Sequence, residues 1–494
     1  YALVKIKQER IDEFAALREV IYIEKPKKLF FELENSGSVS CLDFQYTDST
    51  LDGSGVITAI IDSSVDYRHP DFMTEEGKTR IIELYDENTG RVYSEDDINA
   101  AIGGDLSRVP VEDVSGHGTH VAGIAAGNGR ASNGRYRGVA YKSRLLIVKL
   151  GNDLYFSSAR LMEALDYVIR KAASLSMPVA INMSFGNNYG AHDGTSLLET
   201  YINAVADIWQ CVIVAGSGNE AARKIHVMHD FAKAAAPVIS TELVIGRYEP
   251  SIDIQIWKNY ADIYRITLTA PDGRRYGPVQ GDDVITVFRA GSTEIYVYFG
   301  QPSPYSVNQE IFIQMIGANY ISSGIWTIEA EALDVRDGIY HMWLPAGNFV
   351  SSDTGFTKSS PDVTLTIPST SYNVITVGAY NGRTGSYADF SGRGYTRVIH
   401  TVKPDIVAPG VNIMSPAPGG GYSAQSGTSM AAPFVTGTAA LLMQWGIVKG
   451  RDPYMYGAKI KAQLIRGAVP LRSVPVPSER AGWGALCVRK SIPD

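Results

Sequence analysis

The sequence predicts an α/β fold, a mostly parallel sheet sandwiched by helices, interrupted by an inserted all-β unit. Three observations carry this. Short apolar runs alternate with helical stretches from Gly55 to about residue 234. Helical periodicity then disappears, and between about 235 and 365 short strand-like segments recur with turn signals between them. The α/β pattern resumes at Tyr372, so the β unit is an insertion and not a tail.

Residues 1–37 form a separate α+β unit in this reading. Tyr1–Lys7 alternates as a strand does, with Ala2, Val4 and Ile6 set against Lys5 and Lys7. Glu9–Val20 is charged and has helical spacing at Ile11, Phe14 and Leu17. Two short strand-like runs flank Pro26, and Glu34–Ser40 has the composition of a linker.

In the α/β region, Val56–Ile61 is a continuous apolar run ending in Asp62, as expected of a strand buried on both faces. Leu145–Val148, Val179–Met183, Val212–Ala215 and Val374–Val377 repeat the pattern. Ser157 or Ser158 caps a helix whose Leu161, Leu165, Val168, Ile169 and Ala172 share one face, and Ser196–Trp209 is a second helix. Within the insertion, strands are expected at 252–257, 264–269, 284–288, 294–299, 311–316, 324–331 and 338–344. Even spacing of short strands indicates a sandwich of jelly-roll type.

The composition narrows function. With 45 Lys plus Arg against 52 Asp plus Glu, the 494-residue chain carries a formal charge of −7 and no basic block, which disfavours nucleic acid as a partner. No apolar run approaches the ~20 residues of a membrane span, so none is expected. Cys41, Cys211 and Cys487 are too few for a disulfide framework and weakly favour a reducing compartment.

Three segments carry chemistry: Ile60-Ile61-Asp62-Ser63-Ser64-Val65-Asp66, Ser115-Gly116-His117-Gly118-Thr119-His120, and Gly427-Thr428-Ser429-Met430-Ala431-Ala432-Pro433 at the start of an apolar helix. A carboxylate at a strand end can orient an imidazole, and the imidazole can take a serine proton. A serine at a helix start has a free backbone N–H for an anion. Each segment alone is an ordinary turn or cap. In the order Asp, His, Ser on an α/β fold they are specific.

On these motifs the chain resembles the subtilisin-like serine proteases, the subtilase family, over roughly residues 52–225 and 366–470. The resemblance implies Asp62, His117 and Ser429 as the catalytic triad. It implies Ser184, Phe185 and Gly186, with Gly216, Ser217 and Gly218, as substrate-binding residues, and Asn219 as the oxyanion donor. It requires no cofactor for catalysis. It leaves a structural calcium open, which no Asp/Asn-rich loop supports. His120, His69, Asp71 and Asp66 are assigned structural roles, and His226, His229 and Asp230 an exposed loop and not a zinc site.

From Asn219 to Ser429 is 210 residues, far more than compact subtilisins use, and the excess is the insertion. A subtilase with a jelly roll here and a retained N-terminal piece resembles the Csp germination proteases of Clostridia. That resemblance implies a C-terminal prodomain part at 1–37, a catalytic domain at 38–234 and 366–494, and an inserted β-sandwich at 235–365. It implies self-cleavage within about 31–42 and activation of a zymogen such as a spore-cortex hydrolase, in the spore interior or coat–cortex region. The partners expected are a protein or peptide substrate and the chain's own prodomain. The alternatives are a secreted subtilase of general proteolysis, hence extracellular, and an occluded triad serving as a regulatory binding scaffold.

Overall fold

The structure is a computed structural model and describes residues 1–31, 51–151, 155–281, 285–472 and 474–493. It divides into two compact units: one of residues 26–186, 198–219 and 365–494, the other of residues 1–25, 187–197 and 220–364.

The first unit is built on a nine-stranded sheet. Its parallel centre runs Ile81–Asp86, Arg144–Lys149, Ile57–Asp62, Val179–Met183, Cys211–Gly216, Ile375–Asn381, Ile406–Pro409. The strands are there because their residues are apolar on both faces, and the packing uses both. Ile57, Ala59 and Ile61 enter one core with the helices Ser158–Ser174 and Leu197–Val205. Val56 and Ile60 enter the other with His117–Ala126 and Thr428–Met443. Each such isoleucine removed from water contributes about 1.5–3 kcal/mol. Ser157 caps Ser158–Ser174 by accepting from the Arg160 N–H.

The apolar helical stretch Thr428–Val448 is long and apolar enough to span a membrane by composition, although no such run was expected. It is a core helix, with 89% of its most apolar window buried inside the protein.

The second unit holds two antiparallel sheets. One orders His226–Asp230, Ile339–Trp343, Ser251–Asn259, Asn308–Gly317, Thr293–Phe299, Thr286–Ala290. The other orders Arg275–Val279, Ile263–Thr269, Gly324–Asp334, Val238–Ile245, Gly355–Phe356. Alternate residues of the strands (Ile252, Ile254 and Ile256; Ile266 and Leu268) fill one shared core. The β segment of this unit runs over Glu220–Thr364, and within it His226–Asp230 pairs with Ile339–Trp343.

The N-terminal segment departs from expectation. Residues 1–7 form no strand, and the expected helix is a 3₁₀ turn Gln8–Arg10 followed by Ile11–Ala15 only. Neither element buries a residue fully, so amphipathic spacing there gains little from packing. Of the two strand-like runs, Lys28–Phe31 alone is a strand. The expected linker, Cys41 and all of the expected cleavage region beyond Phe31 lie outside the described residues.

Candidate active site

The candidate residues sit where parallel strands end. Asp62 is the last residue of Ile57–Asp62, Ser184 follows Val179–Met183, and Gly216–Asn219 continues Cys211–Gly216. His117 opens one helix and Ser429 is second in another. Carboxyl ends of parallel strands and the amino ends of helices meet at one edge of such a sheet.

Asp62 and His117 are buried, with Asp62 Oδ1 2.7 Å from His117 Nδ1. The Ser63 N–H donates to the same Oδ1 at 2.7 Å, which holds the carboxylate in place. Gly118 must be glycine: a Cβ there would lie 2.0 Å from the Ser64 carbonyl oxygen and 3.1 Å from Asp62.

Ser429 is fixed through its own backbone. Pro433, inside the helix, has no N–H to give to the carbonyl four residues back. That carbonyl is Ser429's, and it accepts instead from Ser184 Oγ at 3.1 Å. Asn182 Nδ2 donates to Ser184 Oγ at 2.9 Å, and Thr436 Oγ1 donates to Asn182 Oδ1 at 2.9 Å. The Ser429 hydroxyl donates to the Ser184 carbonyl at 3.2 Å.

Asn219 is 5% exposed, and its Oδ1 accepts from the Thr428 N–H at 3.0 Å and the Thr428 hydroxyl at 3.2 Å. Those bonds orient the amide, and its Nδ2 has no hydrogen-bond partner among the described residues. A buried donor left unpaired costs about 1–3 kcal/mol, so the site holds a donor in readiness for an acceptor. Gly218 before it has φ +99° and no room for a Cβ, which would meet Thr366 Cγ2 at 2.6 Å.

The substrate-binding candidates divide. Phe185–Gly186 forms an antiparallel pair with Lys28–Phe31, in register Phe30 to Gly186 and Phe31 to Phe185. Lys28–Phe31 also pairs with Tyr155–Ser157, so a strand of the chain's own N-terminal segment lies between two other strands of the first unit. Leu29 is fully buried in the core that includes Phe156 and Phe185. On the other side, the Ser217 N–H donates to Val377 and its carbonyl accepts from Thr366, while the Gly218 carbonyl accepts from Gly392. The backbone of Ser217 and Gly218 is thus committed internally, and Gly216 ends its strand.

Sequence reasoning missed Asp113. Its Oδ1 accepts from the Ser63 hydroxyl at 2.8 Å, the Gly116 N–H at 3.1 Å and the Ser115 hydroxyl at 3.2 Å. Its Oδ2 accepts from the Thr119 N–H at 2.8 Å and the Thr119 hydroxyl at 2.5 Å. Ser63 Oγ in turn accepts from the Gly118 N–H at 3.0 Å. One carboxylate thereby ties the turn around His117 to the residue after Asp62. Burial, with Asp62 nearby, pushes its carboxyl above the usual range. The signal available was an Asp just before a Gly-His-Gly turn, which reads equally as an Asx turn.

The remaining polar candidates are structural. His120 Nε2 lies 3.0 Å from the Ile413 carbonyl, and burial depresses its imidazole to about 3. Asp66 accepts from the Gly419 N–H at 2.9 Å, Asp71 from the Tyr422 hydroxyl at 2.8 Å, and His69 Nδ1 from the Asp71 N–H at 3.1 Å. His226 and His229 are not on an exposed loop. They lie on the strand His226–Asp230, with His226 buried and His229 Nε2 2.8 Å from Thr241 Oγ1. Flanking charges made that segment look solvated, whereas its strand partner lies more than a hundred residues away. Among the described residues no three His, Cys, Asp or Glu side chains group as metal ligands. Cys211 is buried and its thiol pushed up to about 12.

Residues 53–271 and 323–484 match the model of the subtilase family, and residues 1–27 match that of the Csp protease B prodomain. The chain is similar to the structure of the Clostridium perfringens CspB protease, at 35% identity and a TM-score of 0.86, covering 92% of this chain and 95% of that one. It is 24% identical over 491 residues to the minor extracellular protease Vpr of Bacillus subtilis (strain 168), covering 92% of this chain and 53% of that one. It is 37% identical over 151 residues to subtilisin E of the same organism, covering 30% of this chain and 35% of that one. The chain thus spans about half the length, or less, of these curated relatives.

Proposed function

The chain belongs to the subtilase family, and from that premise we propose that it is a serine endopeptidase acting through an acyl-enzyme on Ser429. His117 takes the Ser429 proton as the hydroxyl oxygen attacks the scissile carbonyl, with Asp62 holding the tautomer and stabilising the imidazolium. Asn219 Nδ2 and the Ser429 N–H receive the oxyanion. Collapse expels the amine, which leaves with the proton from His117. Water then adds to the acyl group by the same route and frees the acid and the serine. The observation that carries this reading is the buried, unpaired Nδ2 of Asn219 beside the helix start of Ser429, at the sheet edge that holds the Asp62–His117 pair. No cofactor enters these steps.

Its first substrate, in this proposal, is its own N-terminal segment. Support comes from the match of residues 1–27 to a prodomain model and from Lys28–Phe31 lying as a bound peptide would lie, between two strands and with Leu29 buried. We assign 1–37 as a prodomain remnant, 38–234 and 366–494 as the catalytic domain and 235–365 as an inserted jelly roll. The two sheets around one core support the last. The zymogen of a spore-cortex hydrolase is the downstream substrate that the Csp likeness implies, and a spore location follows from it. Intact-mass analysis tests self-processing: wild type should lose a segment ending within about 31–42, and Ser429→Ala should stay whole. Both forms whole after native expression would refute it.

The same strand favours a second reading, an occluded triad used as a binding scaffold. A wild type that is folded, uncut and inert toward peptides would establish that reading instead.

A further inference from the structure

We propose that the connection between Thr293–Phe299 and Asn308–Gly317, in the six-stranded sheet of the second unit, is the retention surface for the chain's own N-terminal segment, with Tyr22 seated on Tyr305. The inference rests on the reading of residues 1–31 as a segment cut from the catalytic domain.

The N-terminal segment makes little of its apolar content. Leu3, Val4, Ile11, Leu17, Ile21 and Ile23 are all exposed. Tyr22 behaves differently. It is half-buried, and its ring meets that of Tyr305 edge-on at 6.4 Å between centroids. Burial first, then the neighbouring Glu24, Glu310, Tyr298 and Tyr305, push its hydroxyl up to about 12. Tyr305 lies in the connection between the adjacent strands Thr293–Phe299 and Asn308–Gly317, so Tyr22 rests on the loop that joins two strands of this sheet. Residues 1–25 accordingly belong to the same compact unit as this sheet.

The same sheet takes a second piece of chain. Residues 187–197, which follow directly on Phe185–Gly186, dock on it: the Tyr189 hydroxyl donates to Asp253 at 2.9 Å, the Gly190 N–H to Gln255 at 2.9 Å and Asn308 Nδ2 to Asp193 at 2.9 Å. His192 stacks on Trp343 at 4.1 Å. Lys28–Phe31 and Phe185–Gly186 are antiparallel, so the residues preceding the first and those following the second leave that pair at one end. Both runs then belong to the unit of this sheet. Once the peptide bond beyond Phe31 is cut, the strand is held by its pairing, by the buried Leu29 and Phe30 and by the bonds between Lys27 and Ser158, and a second anchor six residues upstream of the strand multiplies the retention of the whole segment.

The experiment compares wild type, Tyr22→Ala, Tyr305→Ala and Tyr22→Phe. Two quantities are read: the half-life of the N-terminal segment on the protein after gel filtration, and the rate of fluorophosphonate labelling. An edge-to-face aromatic pair supports an expected change of about threefold to tenfold. Each alanine variant should lose the segment and gain labelling by that factor, while Tyr22→Phe, which keeps the ring, should match wild type. Alanine variants that hold the segment and label at the wild-type rate overturn the proposal. A wild type that is never cut refutes self-processing separately. In that case the labelling rates of the uncut variants decide the contact, since release of a tethered strand also exposes the site.

Discussion

Asp62 Oδ1 and His117 Nδ1 lie 2.7 Å apart, both side chains buried, at the end of the strand Ile57–Asp62 and the start of the helix His117–Ala126. A carboxylate in this place fixes which imidazole nitrogen carries the proton. Asp62→Asn keeps the shape and reverses that preference, so kcat should fall about 10⁴-fold with the fold unchanged. Steady-state peptide hydrolysis with a matching thermal midpoint checks this.

Asn219→Ala removes the unpaired Nδ2. On the proposed mechanism that donor is used only when the oxyanion forms, so the loss belongs to the transition state. A drop of about 10²–10³ in kcat with KM little changed is expected. A change confined to KM would reassign Asn219 to ground-state binding.

Asp113→Asn places an NH₂ among donors from Ser63, Thr119 and Gly116. Stability should fall by about 1–3 kcal/mol, and kcat by about tenfold as His117 loses its mooring. Removing a negative charge near the imidazolium lowers the pKa of His117, so the acid limb of the pH–rate profile should move to lower pH, which a purely structural role would not do. Asp113→Glu should recover part of both losses.

His120 and His226 are fully buried, and burial depresses both imidazoles to about 3. Unfolded, they titrate near ~6.5. Between about 3 and 6.5 the unfolded chain therefore binds more protons, and stability is lost as pH falls through that window. Each group contributes a slope of about 1.4 kcal/mol per pH unit well below 6.5. Denaturant unfolding at pH 7 and pH 4.5 should show this, and His226→Phe should reduce proton uptake on unfolding by about one. An unchanged pH slope in that variant would contradict the burial argument.

Substrates should follow the strand Lys28–Phe31. A peptide with a large aliphatic residue at the place of Leu29 should be cleaved about ten to a hundred times more efficiently than one with Gly there, judged by kcat/KM. Indifference at that position would mean that peptides do not lie as this strand does.

The strand ends and helix starts that hold the candidate residues were legible because their signals are local. Val56–Ile61 ending in Asp62 is at once a strand and a position at its carboxyl end, and Gly427-Thr428 marks the start of the helix that carries Ser429. Long-range features were not legible. Asp113 gains its role only when Ser63, fifty residues earlier, folds against it. His226–Asp230 becomes a strand only against Ile339–Trp343. The short helix Ile11–Ala15 shows the converse, since helical spacing that buries no residue fully propagates only briefly.

The central claim is that Ser429 is a nucleophile activated by His117. Fluorophosphonate labelling followed by peptide mapping tests it most directly. The account predicts one adduct, on Ser429, absent in Ser429→Ala and strongly slowed in His117→Ala. Folded wild type that takes no label, or takes it on another serine, would contradict it.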